Sequence, residues 1–159
     1  MKKILLICFS LVVSCSSIQQ ETGFQKISYK AITRGYSTEI LLQDNTLKYF
    51  KNAKESRSLT LAKEVKDALN TLIKKINLNT INQLKAPSNK YQFDGAMYTT
   101  VAVILNGKKY TNSGFDDDNP PKELTLLINY LLTLIKQKRR PYGRLFCLKP
   151  FVFNNQKLI

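Results

Sequence analysis

The residues best suited to chemistry form an acidic run, Asp116-Asp117-Asp118-Asn119, with Asp94 as a candidate companion. Clustered carboxylates suit a hard cation such as calcium, which takes about six to eight oxygen ligands. The run is not an EF-hand loop, because the glycine of its sixth position and the glutamate of its twelfth are missing. Two interpretations stay open. Asp94, Asp116 and Asp118 form a cation or small-ligand site, or the acids cap the helix predicted to follow, where each stabilises the positive dipole end by about 0.3–1 kcal/mol.

Arg34 stands before Gly35 at the end of a predicted strand. As a binding residue it would hold an anion. As a structural residue it would pair with an acid such as Asp116, while Gly35 takes the unusual backbone angles of the turn.

The chain has no histidine, which is the commonest general base and metal ligand. It also lacks a glycine-rich phosphate loop, a nucleophile elbow and the cysteine spacing of a zinc site. We therefore expect a protein that is not an enzyme, with no catalytic residue, no metal and no cofactor.

The positive charge of the chain is concentrated in its C-terminal tail. The sequence has 25 Lys and Arg against 11 Asp and Glu, a net charge of +14. From Lys136 onward there are seven bases and no acid, whereas residues 4–135 carry 16 bases and 11 acids. Residues 138–159 mix bases and aromatic residues without helical or strand periodicity, so we expect a poorly ordered tail. Such a tail can bind nucleic acid, but a chain exported by the N-terminal signal described next would meet lipid headgroups instead, so no nucleic-acid partner is expected.

The N-terminus has the layout of a secretory signal. Lys2 and Lys3 precede an uninterrupted apolar run over residues 4–13. A membrane-spanning helix needs about 20 apolar residues, so this run is too short to span a bilayer.

The apolar run ends in Val12-Val13-Ser14-Cys15, which resembles the lipobox of bacterial lipoproteins. The resemblance implies cleavage before Cys15 and a diacylglycerol on its sulfur. Residues 1–14 are then the signal peptide, and residues 15–25 are a lipidated tether. Ser16 after the cysteine implies the outer membrane, and the lack of an acidic run beside it implies a periplasm-facing protein.

Strand patterns occupy the first part of the mature chain and return near residue 100. Residues 27–31 alternate between apolar and polar side chains, and runs at 38–43 and 46–51 flank an Asp44-Asn45 turn. Around Leu59 the sequence predicts at most one last short strand. The clearest hairpin joins residues 98–105 to 108–112 through Asn106-Gly107, which supplies the two positive-φ positions of a type I′ turn.

Two amphipathic helices complete the predicted domain. Apolar residues recur at intervals of three and four from Leu61 to Ile76, with Thr60 as the predicted N-cap. A second helix is predicted from Pro120 to about Lys136, with Asn119 as its N-cap. The order β-β-β-α-β-β-α predicts an α+β domain over residues 26–137, an antiparallel sheet of about five strands with two helices on one face.

Short motifs stand in the predicted turns and the acidic loop: Thr33-Arg34-Gly35, Asp94-Gly95-Ala96 and Phe115-Asp116, the last followed by Asn119-Pro120-Pro121. Together they resemble recurring landmarks of small uncharacterised lipoproteins of Bacteroidota-type bacteria. In that family the loop reads Asp-His-Gly-Asn-Pro-Pro, and here Asp117-Asp118 stands in place of His-Gly. The resemblance therefore implies no histidine chemistry and brings no known activity.

These observations predict a lipid-anchored cell-envelope protein that acts by binding rather than by catalysis. Its expected partners are the membrane, through lipid on Cys15, and another envelope protein, met through an open sheet edge or the acidic loop. The alternative is a cation- or small-ligand-binding periplasmic domain that uses Asp94, Asp116 and Asp118. A third interpretation is an inhibitor of an envelope enzyme that presents a loop such as residues 85–92.

Overall fold

The computed structural model describes residues 23–136, so the predicted signal peptide, Cys15 and the basic tail lie outside the described residues. Within this described part of the chain, seven strands form one sheet: β1 (Phe24–Thr33), β2 (Tyr36–Gln43), β3 (Thr46–Lys51), β4 (Lys54–Thr60), β5 (Tyr98–Leu105), β6 (Lys108–Thr111) and β7 (Phe115–Asp116). The α-helices are α1 (Lys63–Lys74) and α2 (Lys122–Lys136), and two 3-10 helices, Leu78–Gln83 and Lys90–Phe93, lie between α1 and β5. No helix among residues 23–136 has the length and apolar character that crossing a bilayer requires.

The sheet is antiparallel throughout and follows the order β4-β3-β2-β1-β5-β6. The first four strands form a meander, and β5 then returns to the free side of β1. Ile27 on β1 is thus opposite Leu42 of β2 on one side and Val103 of β5 on the other. Both β6 and β7 pair with the outer side of β5, β6 with residues 102–105 and β7 with residues 98–99.

One face of the sheet carries the hydrophobic core. Along β1, Ile27, Tyr29 and Ala31 are buried, and the residues between them are not. The same core cluster contains the buried residues of α1, which are Val65, Leu69 and Ile73, and those of α2, which are Leu124, Leu127, Ile128, Leu131 and Leu134. Because the buried strand residues all share one side of the pleat, both helices pack on that side.

The hairpin turns form as the sequence predicts. Asn106 and Gly107 both have positive φ, 51° and 74°, in the turn between β5 and β6. Asp44 has a φ of 55° in the turn between β2 and β3. These turns set the register of the strands that they join.

The α+β class, the antiparallel sheet and the two helices agree with the sequence prediction, but the expected five strands are wrong. The polar segment Lys54–Thr60 forms a full edge strand that pairs with β3. Its one apolar residue, Leu59, packs against the core, and an edge strand tolerates charge at its other positions. The remaining strand, β7, has two residues and is too short to show an alternation.

Both predicted helix N-caps are also wrong. Thr60 is the last residue of β4, and the N-cap of α1 is Ala62, which makes no side-chain cap hydrogen bond. The second helix, α2, begins at Lys122, and the carbonyl of Pro121 accepts its first backbone hydrogen bonds. Asn119 precedes the helix, and its side chain is engaged elsewhere.

Candidate functional site

Asp116 is the last residue of β7 and the centre of the acidic loop. Its neighbour Phe115 is fully buried in the core, so the alternation of the strand turns Asp116 toward the other side of the sheet. There the segment 88–93 packs over it, and its relative exposure is 0%.

The buried carboxylate of Asp116 accepts three hydrogen bonds from that segment. Its Oδ2 accepts from the hydroxyl of Ser88 at 2.6 Å and from the backbone N–H of Lys90 at 2.9 Å. Its Oδ1 accepts from the backbone N–H of Tyr91 at 2.8 Å. Asp116 therefore satisfies the first backbone donors of the 3-10 helix Lys90–Phe93, and the interpretation in which it caps α2 is wrong.

The charge of Asp116 is stabilised where it lies. Burial is the largest single influence and on its own raises the pKa of the carboxyl group. The hydrogen bonds from Ser88, Tyr91 and Lys90, together with the positive charge of Lys90, outweigh burial and leave the pKa below its ordinary value of 3.8. At neutral pH Asp116 is thus an ionised acceptor.

The other acids of the loop are also engaged. The side chain of Asp117 accepts a hydrogen bond from the backbone N–H of Met97 at 2.9 Å, and the backbone N–H of Asp117 donates one to the Met97 carbonyl at 3.1 Å. Asp118 lies 2.8 Å from the ammonium group of Lys90, and this hydrogen-bonded pair raises the pKa of the lysine. The acidic loop therefore holds the segment 88–97 against the sheet at three points.

Arg34 and Asp94 form a separate, exposed ion pair with 3.5 Å between Nε and Oδ2. The proposed pairing of Arg34 with Asp116 is therefore wrong, because Asp116 is buried behind the segment 88–93. Asp94 ends the second 3-10 helix with a left-handed backbone, φ 56°, and this turn carries its side chain to the β1–β2 hairpin.

Arg34, Asp94, Asp116 and Asp118 are thus brought to one end of the sheet, but they do not form one cluster. Arg34 is bonded to Asp94, and Asp118 is bonded to Lys90. Among residues 23–136, no three His, Cys, Asp or Glu side chains converge in a way that could hold a metal ion. The carboxylates of this loop serve to fix the backbone around them.

Exposed apolar side chains collect beside these ion pairs. Ile32 and Tyr98 are opposite each other on β1 and β5, and their relative exposures are 44% and 36%. Phe93 directly precedes Asp94 and is 79% exposed. Tyr91 contacts Tyr98 edge to face, with 5.0 Å between the ring centroids. We call these four residues, Ile32, Tyr91, Phe93 and Tyr98, the aromatic corner.

The ring of Tyr98 is held firmly within this corner. Its hydroxyl donates a hydrogen bond to the carbonyl of Ser113 at 3.1 Å. Gly114, with a φ of 96°, lies so close beneath the ring that a Cβ atom there would collide with it. Next to it, the side-chain oxygen of Asn112 accepts from the backbone N–H of Val101 at 2.6 Å, where β6 has ended and β7 has not begun. The loop between β6 and β7 is therefore shaped around Tyr98.

The sequence prediction missed the aromatic corner. Ile32 continues the alternation of β1, and Phe93 lies in a segment without periodicity, so neither carries a sequence signal of its own. Ile32 and Phe93 come close only because β5 pairs with β1 and because Asp116 fixes the segment 88–93.

Comparison of the chain with protein-family models, with curated proteins and with solved structures finds no match. What the site does must therefore be inferred from its own geometry. A buried carboxylate fixes a loop, and the loop and the strand beside it expose apolar side chains next to an arginine–aspartate pair. This arrangement can present a rigid apolar surface to another molecule.

Proposed function

We propose that this chain is a non-catalytic envelope lipoprotein whose folded domain binds another envelope protein through the aromatic corner. Lipid on Cys15 anchors it in the outer membrane, and the domain faces the periplasm. The observation that carries the binding role is the grouping of exposed apolar side chains. Among residues 23–136, the large hydrophobic side chains that are exposed are Ile32, Phe93, Tyr98 and Leu126, and the first three lie in the corner.

The composition of the corner favours a protein partner. Aromatic residues and arginine are enriched at the energetic centres of protein interfaces, and here Arg34 pairs with Asp94, the residue that follows Phe93. A phenylalanine that is 79% exposed gains from burial, because covering apolar surface contributes roughly 25 cal/mol per Å².

The fixing of the loop supports the same function. Ordering a flexible loop on binding opposes association, and rigidity in the free protein removes that cost. The three hydrogen bonds to Asp116 hold residues 88–91, so the backbone that presents Phe93 is ordered before a partner arrives.

The second candidate function is inhibition of an envelope enzyme, and the loop that Asp116 fixes supports it as well. Residues 85–92 overlap the segment that Asp116 fixes, and a protein inhibitor presents a preformed loop to its target. A cation-binding role gains no such support, because Asp116, Asp117 and Asp118 are already bonded to Tyr91, Met97 and Lys90.

The anchor is tested by intact mass spectrometry of the membrane fraction. The expected species begins at Cys15 and carries acyl mass, and Cys15→Ala abolishes it. A soluble species without acyl mass in the unaltered chain would refute the lipid anchor.

The corner is tested by photo-cross-linking in intact cells, with a photoreactive amino acid at position 93. We expect one discrete protein adduct, lost when Ile32→Ser is introduced as a second change. The control places the same amino acid at position 126, whose leucine is 47% exposed on α2. A lipidated, membrane-located protein that gives no adduct at 93, or the same adducts at 93 and 126, would refute this function.

A further inference from the structure

The chain enters the domain at the end of the sheet opposite the aromatic corner. The backbone N–H of Phe24, at the start of β1, donates to the side-chain oxygen of Asn70 on α1 at 3.0 Å. The β5–β6 turn lies at the same end, because the N–H of Gly107 donates to the side chain of Gln25 at 2.7 Å. Ile32 and Tyr98 mark the other end of the same two strands. We call the end that contains Phe24, Asn70 and Gly107 the tether end.

Helix α1 lies across the tether end and carries lysines on both sides of Asn70. One open groove, about 420 Å³ in volume, is lined by Lys63 and Lys66 together with Gly23. A second groove, about 520 Å³, is lined by Lys74 together with Asn106. Lysine side chains therefore lie on both sides of Asn70, where the chain enters the domain, and Asp67 is the one acid that lines these grooves.

Charge is distributed unequally between the two ends of the sheet. The lysines in the elements and turns of the tether end are Lys26, Lys63, Lys66, Lys74, Lys75, Lys108 and Lys109, against Asp44, Glu64 and Asp67. The end with the aromatic corner holds Asp94 and the run from Asp116 to Asp118, against Arg34, Lys51, Lys54 and Lys90. The tether end is thus net positive, and the other end is electrically balanced.

The distance from Cys15 to the domain limits how far the tether end can move from a membrane. Residues 16–22 separate Cys15 from Gly23, and an extended chain spans at most roughly 3.5 Å per residue, or about 28 Å here. A domain of this size has a radius of gyration of about 13 Å, so even a fully extended tether would be no longer than about the width of the domain. A lipid on Cys15 would hold the tether end nearer the headgroups than any other part of the domain.

We propose that the tether end docks on anionic phospholipid headgroups of the membrane that holds the lipid on Cys15. Lys63 and Lys74, which are exposed on either side of the chain's point of entrance, contact the phosphates. The docked domain directs the aromatic corner away from the membrane. This inference rests on the proposed lipid anchor and adds an orientation to it.

The magnitude expected from electrostatics is modest but measurable. A lysine near an anionic membrane surface contributes about 1 kcal/mol, which is about fivefold in affinity. Attraction of this kind decays within about 8 Å at physiological ionic strength, so salt should abolish it.

Lysine footprinting of the full lipidated chain tests the docking. The protein is reconstituted into vesicles of neutral phosphatidylcholine, or of phosphatidylcholine with about one third phosphatidylglycerol, and its lysines are acylated and located by mass spectrometry. In anionic vesicles we expect Lys63 and Lys74 to react at least about fivefold more slowly than in neutral ones. Lys51 and Lys54, at the opposite end, should react equally in both, and about 0.5 M salt should remove the protection.

A pair of matched variants separates docking from tether length. Lys63→Gln with Lys74→Gln should reduce the protection of Lys108, whereas Lys51→Gln with Lys54→Gln, which removes the same charge, should leave it unchanged. The docking would be overturned if anionic vesicles protected Lys51 and Lys54 as strongly as Lys63 and Lys74, or if inorganic phosphate in solution gave equal protection. Flotation with neutral vesicles reports the anchor alone, so a chain that floats but shows no protection refutes only this inference.

Discussion

Asp116→Asn is the substitution for which the structure makes the sharpest prediction, because it keeps the shape of the side chain and removes one acceptor. Asp116 has two oxygens, and both are in use: Oδ1 accepts from Tyr91, and Oδ2 accepts from Ser88 and Lys90. Asparagine offers one oxygen and one N–H₂ group. Whichever way the amide lies, the partly buried backbone N–H of either Lys90 or Tyr91 then faces another donor.

The expected loss follows from the bonds that remain. The better orientation keeps the amide oxygen toward Ser88 and Lys90 and sacrifices the bond to Tyr91. A hydrogen bond to a charged group contributes about 1.5–3 kcal/mol, and a buried donor left without a partner costs about 1–3 kcal/mol. The lost hydrogen bond and the unpaired donor belong to the same interaction, so the two energies cannot simply be added. We therefore expect Asp116→Asn to lower the free energy of unfolding by about 2–4 kcal/mol.

Urea unfolding of the mature chain at pH 7, followed by circular dichroism, measures this change. Hydrogen exchange adds a local readout, because the amide protons of Lys90 and Tyr91 should exchange much faster in the variant. Asp118→Asn is the control, since it removes a carboxylate from the same loop at an exposed position, and its unfolding midpoint should stay near that of the wild type. An Asp116→Asn protein within about 0.5 kcal/mol of the wild type, with unchanged exchange at both amides, would refute a role for this carboxylate in fixing the loop.

Three further predictions concern the acid limit of stability, the core and the backbone. The folded-state pKa of Asp116 lies below its ordinary value of 3.8, so the ionised carboxylate stabilises the fold fully above the ordinary pKa, and this contribution is lost as pH falls through the folded-state pKa. The urea midpoint should therefore fall as pH is lowered below about 4, and it should fall less in Asp116→Asn. Leu131→Ala, in the core, should lower the free energy of unfolding by about 2–5 kcal/mol. Leu126→Ala, at a half-exposed position of the same helix, should lower it by less than about 1 kcal/mol. An equal loss in the two variants would contradict the packing of α2. Gly114→Ala should cost more than Gly35→Ala by at least about 1 kcal/mol in thermal unfolding, because both glycines have positive φ but only at position 114 does the added methyl meet an aromatic ring.

Local signals carried the correct part of the sequence prediction. Asn106-Gly107 predicts its own turn, because few other residue pairs adopt two successive positive φ angles. The apolar stripe of α2 around Leu131 is equally local, since each of its residues lies within one helical turn of the next. Edge strand β4 carries no such signal, because its one apolar residue, Leu59, is only partly buried and its other residues are polar, a composition that is also typical of a loop.

The contacts of the candidate site could not be predicted from local sequence patterns. Asp116 was identified as important, but its partners Ser88, Lys90 and Tyr91 lie more than 20 residues earlier in a stretch without periodicity. An even larger separation along the chain concealed the partner of Arg34, because Asp94 lies 60 residues later in the sequence. Sequence patterns thus identify the polar and charged side chains that could act in a site. Which of them pair depends on the long-range pairing of β1 with β5.

The pairing of β1 with β5 also governs the order in which the protein can fold. In the finished sheet β1 is a central strand, but β5 is made only after α1 and both 3-10 helices. A chain that emerges from its N-terminus can form the β1–β4 meander from local contacts, and β1 then remains an unpaired edge. Pairings between distant parts of a chain form slowly, and an unpaired edge is open to other strands. The protein is therefore most prone to aggregate in the interval before β5 has emerged to cover β1.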